Sequence, residues 1–138
     1  TPENAPENAV STLEKLVLSL GFKKVVKTTP REHDEIIAYT SQLAHIVSSA
    51  YIKSPTLQKE VGFSAGSFKD LTRVAKLNED MWTSLFIKNK EPLIFEIKEL
   101  IERLSEYLTS LENEDSDTMK ELLKNGRILK EKSIEKNK

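Results

Sequence analysis

The stretch EPLIFEIKELIERLSEYLTSLE, residues 91–112, decides how this chain folds. Within it Leu93, Ile97, Leu100, Leu104, Tyr107 and Leu111 recur at alternating four- and three-residue steps, a heptad seam along one side of a helix. Ile94, Ile101 and Leu108 widen that seam into a broad apolar face. So much apolar surface needs a partner, in the chain or in a second copy. Glu99 and Arg103 are spaced to pair at i,i+4 on its flank. The fold class that follows is mainly α, a helical bundle with this segment at its centre.

Working back from that helix, Asn78-Glu79-Asp80 is a helix start, opening a segment that carries Met81, Trp82, Leu85, Phe86 and Ile87. Phe68 to Lys76 reads as a short helix after the turn-like Gly62–Ser67 segment. Thr29-Pro30-Arg31-Glu32 combines a capping threonine, a proline suited to the first helical position and a glutamate able to reach back. The helix it opens should run to Tyr51 or Ile52, where Ser54-Pro55 interrupts it. Further upstream, Val10, Leu13, Leu16, Val17 and Leu20 form a helical stripe ending at Gly21, a residue suited to the position after a helix. Lys23 to Thr28 is β-branched with charged flanks, the single strand candidate. One strand makes no sheet, so it should pair with another copy or belong to a sheet outside this chain. The first eight residues read as a linker. After Leu111 come an acidic loop, Glu112 to Asp117, and a basic tail, Met119 to Lys138.

Composition removes several functional classes. With 21 Lys+Arg against 22 Asp+Glu, the net charge of −1 supports no general basic field for nucleic acid. No apolar run approaches the roughly 20 residues of a membrane span, so no membrane partner is expected. Zero cysteines exclude disulfides, thiolate metal sites and cysteine nucleophiles, and suit a reducing compartment. Two histidines, His33 and His45, speak against a zinc site, and four glycines provide no Gly-x-Gly-x-x-Gly loop. Hydrophobic residues at 38% and charged residues at 31% fit a globular domain rather than a disordered chain.

Two clusters carry possible chemistry. His33, Ile37, Ser41 and His45 are successive i,i+4 neighbours, and Gln42, Ser48 and Ser49 flank the last of them. That is a polar strip facing a ligand cleft, a satisfied buried histidine, or a solvated edge. In the second cluster, Ala65 to Arg73, a turn feeds a helix whose first amides could meet an anion, with Arg73 two turns along. An arginine fork suits a carboxylate, but Arg73 could equally pair with Asp70 at i,i+3. Met81-Trp82 with Leu85-Phe86 reads as core.

Taken in order, His33-Asp34, Ser41-Gln42-Leu43-Ala44-His45, Ala65-Gly66-Ser67-Phe68-Lys69-Asp70-Leu71-Thr72-Arg73-Val74-Ala75, Met81-Trp82 and Asn89 resemble the C-terminal helical domain of prephenate dehydrogenases. The corresponding family stretches read roughly His-Asp, Ser-His-Leu-Pro-His, Gly-Gly-Gly-Phe-x-Asp-x-Thr-Arg-Ile-Ala and Met-Trp. The resemblance implies a cytoplasmic enzyme of tyrosine biosynthesis that oxidises prephenate with NAD, releasing carbon dioxide and 4-hydroxyphenylpyruvate. It makes residues 1–28 the last helix and strand of a Rossmann-type nucleotide-binding domain, and residues 29–138 a substrate-binding domain that forms a homodimer. The catalytic histidine and the NAD site are then expected upstream, so this chain, which starts at Thr1 without a methionine, is expected to be a fragment inactive alone. Carried over by position, Arg73 would hold the substrate carboxylate, with His45, Gly66, Ser41 and Gln42 around it. Gln42 stands for the family's first histidine, Ala44 for its proline, and Ala65 and Ser67 for two glycines. A less kinked helix and a stiffer loop should follow. An arogenate dehydrogenase fragment, or a non-catalytic helical interaction module, are the competing readings.

Overall fold

The structure is a computed structural model that describes residues 4–136. Residues 1–3 and 137–138, the outer ends of the expected linker and basic tail, lie outside the described residues. The chain divides into two compact units, one ending at His33 and the other beginning at Asp34.

In the first unit, helix α1 spans Glu7–Ser19, opened by Pro6 in an extended conformation with Glu7 in its first turn. A carboxylate there meets the positive end of the helix dipole. Gly21 follows the cap residue Leu20 at φ +93°, the left-handed geometry that glycine adopts without a Cβ clash. Val10 and Val17 of the stripe are half-buried, while Leu13, Leu16 and Leu20 stay exposed. The expected strand is not formed. Residues 23–28 have no ladder partner among the described residues and take no regular secondary structure. An ion pair from Lys27 Nζ to the Glu14 carboxylate, 2.7 Å, ties this segment to α1.

The Thr29 cap forms as a half of the expected box. Its hydroxyl oxygen accepts the Glu32 N–H at 3.2 Å, but the Glu32 carboxylate takes the Thr28 hydroxyl at 2.5 Å. From here helix α2, Pro30–Ile37, runs into a π-helical segment, Ala38–Leu43, and on into α3, Ala44–Tyr51. The span matches the expected helix, but its interior does not. The π segment ends directly before Ala44, the residue that stands for the family's proline in the resemblance.

In the second unit, Ser54 caps a 3₁₀ turn, Pro55–Lys59, accepting the Thr56 N–H at 3.2 Å. A turn with Gly62 at φ +87° leads to α4, Gly66–Thr72, which begins earlier and ends sooner than its apolar pattern suggests. Asn78 caps α5, Glu79–Lys88, by accepting the Met81 N–H at 2.9 Å. Asn89 alone separates α5 from α6, Lys90–Glu112. Pro92 falls in the first turn of α6, where a missing N–H costs nothing.

The core sits where α6 crosses the π segment. Ala38, Leu43 and Leu93 are buried together, and Ile46, Val47, Phe86, Ile97 and Leu100 pack around them. Burying one such leucine contributes about 1.5–3 kcal/mol. Helix α6 also packs against α5 and α7, Ser116–Lys136, and so takes the central position that its apolar face requires. Arg103 pairs with Glu102 at 2.9 Å and Glu106 at 2.6 Å, not with Glu99.

The α6–α7 turn is tightly built. Glu114, at φ +53°, occupies the left-handed position. Its N–H bonds the Leu111 carbonyl at 3.2 Å, and the Asp115 N–H bonds the Ser110 carbonyl at 2.9 Å, which completes a Schellman motif. Asp115 then caps α7, accepting the N–H groups of Thr118 at 3.0 Å and Asp117 at 3.1 Å and the Thr118 hydroxyl at 2.6 Å. These bonds, that from the Thr118 side chain first, hold its carboxyl below the usual carboxylate range.

Candidate functional site

His45 is the best-defined side chain of the candidate site. Its Nδ1 lies 2.9 Å from the Ser41 carbonyl, which can only accept, so Nδ1 carries the proton. Its ring stacks on Trp82, centroids 4.0 Å apart and planes 29° from parallel, and Trp82 in turn leans on Phe86 at 5.3 Å. With one nitrogen bonded and one ring face covered, Nε2 is the atom of His45 left to meet a ligand. The expected core group forms only in part: Met81 and Leu85 are exposed, Phe86 alone of the four packs on the core, and the half-buried Trp82 is instead the wall against which His45 lies. The spacing of Met81 and Trp82 carries no signal for that contact.

Gln42 lies in the π segment and is buried, with Oε1 accepting from Asn89 Nδ2 at 2.8 Å. The same Nδ2 donates to the Asp34 carbonyl at 2.9 Å. Gln42 therefore faces the α5–α6 junction, and Ser41 serves His45 through its main chain. His33 is exposed, in the first unit.

Arg73 follows the last residue of α4 and is exposed. Among the described residues its guanidinium makes no hydrogen bond or ion pair, and the alternative pairing with Asp70 is not formed. Gly66, the first residue of α4, has an ordinary φ, and a Cβ built on it would meet nothing within 4 Å. Packing in the free chain does not demand a glycine there. With seven residues, α4 is too short for its N-terminus to serve as an anion site by itself. Helices α3 and α4 pack on each other, with the Tyr51 and Phe68 rings 6.2 Å apart, but no hydrogen bond joins Arg73 to His45 among the described residues. One turn beyond His45, Ser48 is fully buried and its hydroxyl has no partner among the described residues, a loss of about 1–3 kcal/mol unless water or a ligand supplies one.

Among the described residues, no group of three His, Cys, Asp or Glu side chains is placed to hold a metal, and no helix is long and apolar enough to cross a membrane. In the first unit, a groove of about 390 Å³ lies between α1 and the extended segment, lined largely by Val10, Leu13, Val17, Val25, Val26 and Pro30.

The family described as "Prephenate dehydrogenase, dimerization domain" matches residues 29–125. A prephenate dehydrogenase of Lactococcus lactis is 28% identical over 126 residues, covering 86% of this chain and 35% of its own length. A cyclohexadienyl dehydrogenase of Zymomonas mobilis is 30% identical over 105 residues, covering 69% and 34%. Among solved structures, prephenate dehydrogenase from Aquifex aeolicus, in complex with hydroxyphenyl propionate and NAD+, superposes with a TM-score of 0.78 at 26% identity, over 96% of this chain and 48% of that one. The chain spans about a third of the length of these curated relatives and about half of that solved chain.

Proposed function

The chain belongs to the prephenate dehydrogenase family, whose dimerization domain it carries, and we propose that it is the substrate-binding and dimerising part of an NAD-dependent prephenate dehydrogenase. In this reading residues 1–28 close a nucleotide-binding domain and residues 29–138 form the helical domain. Two copies join through the uncovered face of α6. The overall reaction is oxidative decarboxylation of prephenate to 4-hydroxyphenylpyruvate in the cytoplasm, with hydride passing to NAD.

The residues present do not fit NAD. Among the described residues there is no strand followed by a glycine-rich turn and a helix, the arrangement that cradles a dinucleotide. The part of this chain is to bind and orient the substrate. Arg73 takes a substrate carboxylate, His45 presents Nε2 from a ring fixed by Ser41 and Trp82, and Gly66 leaves room for close approach.

The observation that carries this reading is the unpaired guanidinium of Arg73 at the position matching the family's arginine. Prephenate is a dianion, and a carboxylate leaving water needs charged donors in exchange. A charged hydrogen bond is worth on the order of 1.5–3 kcal/mol. In the enzyme with its nucleotide-binding domain, Arg73→Ala therefore weakens prephenate binding by roughly 10- to 100-fold, leaving NAD affinity unchanged. Arg73→Lys recovers part of the loss, keeping charge without the fork. A KM within about twofold of wild type in Arg73→Ala would contradict the assignment. Titration with arogenate beside prephenate decides between those two substrates.

A further inference from the structure

Asn89 sits at the α5–α6 junction, one of the residues that carry the family resemblance but with no role given to it, and its amide nitrogen reaches two acceptors in the helix that carries His45. Nδ2 lies 2.9 Å from the Asp34 carbonyl and 2.8 Å from Gln42 Oε1. The Asp34 carbonyl accepts only, so the atom facing it must be the NH₂ of Asn89, and the Gln42 atom facing that same NH₂ must be its oxygen. Both amide orientations are thereby determined, and both hydrogens of one nitrogen are used.

The two acceptors bracket the start of the π segment, with Asp34 four residues before Ala38 and Gln42 inside it. A π turn is less favourable than an α turn and persists where its surroundings hold it in place. Here Ala38 and Leu43 anchor it against Leu93 from the apolar side, and Asn89 holds it from the polar side. The residue before Gln42 in the π segment is Ser41, whose carbonyl accepts from His45 Nδ1. The chain of contacts runs from Asn89 through Gln42 and the π backbone to the imidazole.

We propose that Asn89 is a positioning residue that, by donating to Gln42 and to the Asp34 carbonyl, sets the π turn so that the Ser41 carbonyl keeps His45 protonated on Nδ1 and bare on Nε2. The functional meaning rests on the reading of His45 as a substrate-facing group. Held this way, the ring offers a substrate hydroxyl proton an acceptor at a fixed point. Without the clamp, the ring is free to exchange tautomers and to offer a donor in its place.

The test is ¹⁵N NMR of the 138-residue chain labelled on histidine, recorded at alkaline pH, with His45 assigned by His45→Gln. In the wild type, Nδ1 gives the protonated, pyrrole-like resonance and Nε2 the bare, pyridine-like one. Asn89→Asp keeps the shape of the side chain but cannot donate, and Asn89→Ala removes it. In both, the two resonances move toward each other as the tautomers mix. Gln42→Glu keeps an accepting oxygen and retains the wild-type pattern. A folded Asn89→Asp chain with the wild-type pattern would overturn the proposal. So would a wild-type ring protonated mainly on Nε2, a result that needs no variant to fold. The readout uses no substrate. If Arg73→Ala left prephenate binding intact while Asn89→Asp still mixed the tautomers, the functional reading would fail and the positioning role would stand.

Discussion

The two ends of α6 share one heptad pattern but lie in different surroundings. At the start of the helix Leu93 is 4% exposed beneath Ala38 and Leu43, with Ile97 and Leu100 packed beside it. Toward its end Leu104, Leu108 and Leu111 are 58%, 56% and 66% exposed, although α7 folds back alongside. Periodicity identifies the face of a helix that seeks cover, but not what covers it. In the first half the cover is intramolecular and is the same packing that supports the π segment and His45. In the second half the apolar face is left open among the described residues, and the occupant proposed above is a second copy.

Substitutions in the two halves should therefore differ in kind. Leu93→Ala leaves a cavity in the core and lowers stability by about 2–5 kcal/mol, by urea or thermal denaturation, at any protein concentration. On the proposed dimer, Leu108→Ala would remove contact between copies, so its effect on the melting temperature would depend on concentration. Equal concentration dependence for both variants would erase the distinction.

A smaller effect is expected where α6 ends. Glu114 holds a left-handed conformation that costs a residue with a Cβ about 1 kcal/mol. Glu114→Gly should raise stability by about that amount, and a loss would mean that its side chain matters more than its backbone.

The smallest effect concerns Asp115. Its carboxyl is held below its ordinary value, chiefly by the Thr118 hydroxyl and N–H, so the folded state favours the ionised form. The stabilisation is fully present above the unfolded value near 3.9 and is lost as pH falls through the lower folded value. Asp115→Asn still caps α7 but does not titrate, so its melting temperature should fall less than wild type on acidification through that window. Parallel curves would remove Asp115 as a source of acid sensitivity.

Much of the helical framework was legible because its signals are local. Gly21, Thr29, Asn78 and the break at Ser54-Pro55 each act within a few residues of themselves. The strand at residues 23–28 misled because β-branched composition measures willingness to pair, whereas a strand requires a second backbone alongside. The π segment left no mark in the apolar pattern. It depends on Asn89, 47 residues from Gln42, and no local preference encodes so distant a contact. The same holds for the stack of His45 on Trp82, which joins a residue singled out for its polarity to one assigned to the core.

The open half of α6 is tested most directly by sedimentation equilibrium of the 138-residue chain at micromolar concentration. The account predicts a particle of twice the 15.7 kDa chain mass, and conversion to the monomer by Leu104→Glu with Leu108→Glu, with helical content preserved. A wild-type chain that sediments as a 15.7 kDa monomer at that concentration would contradict it.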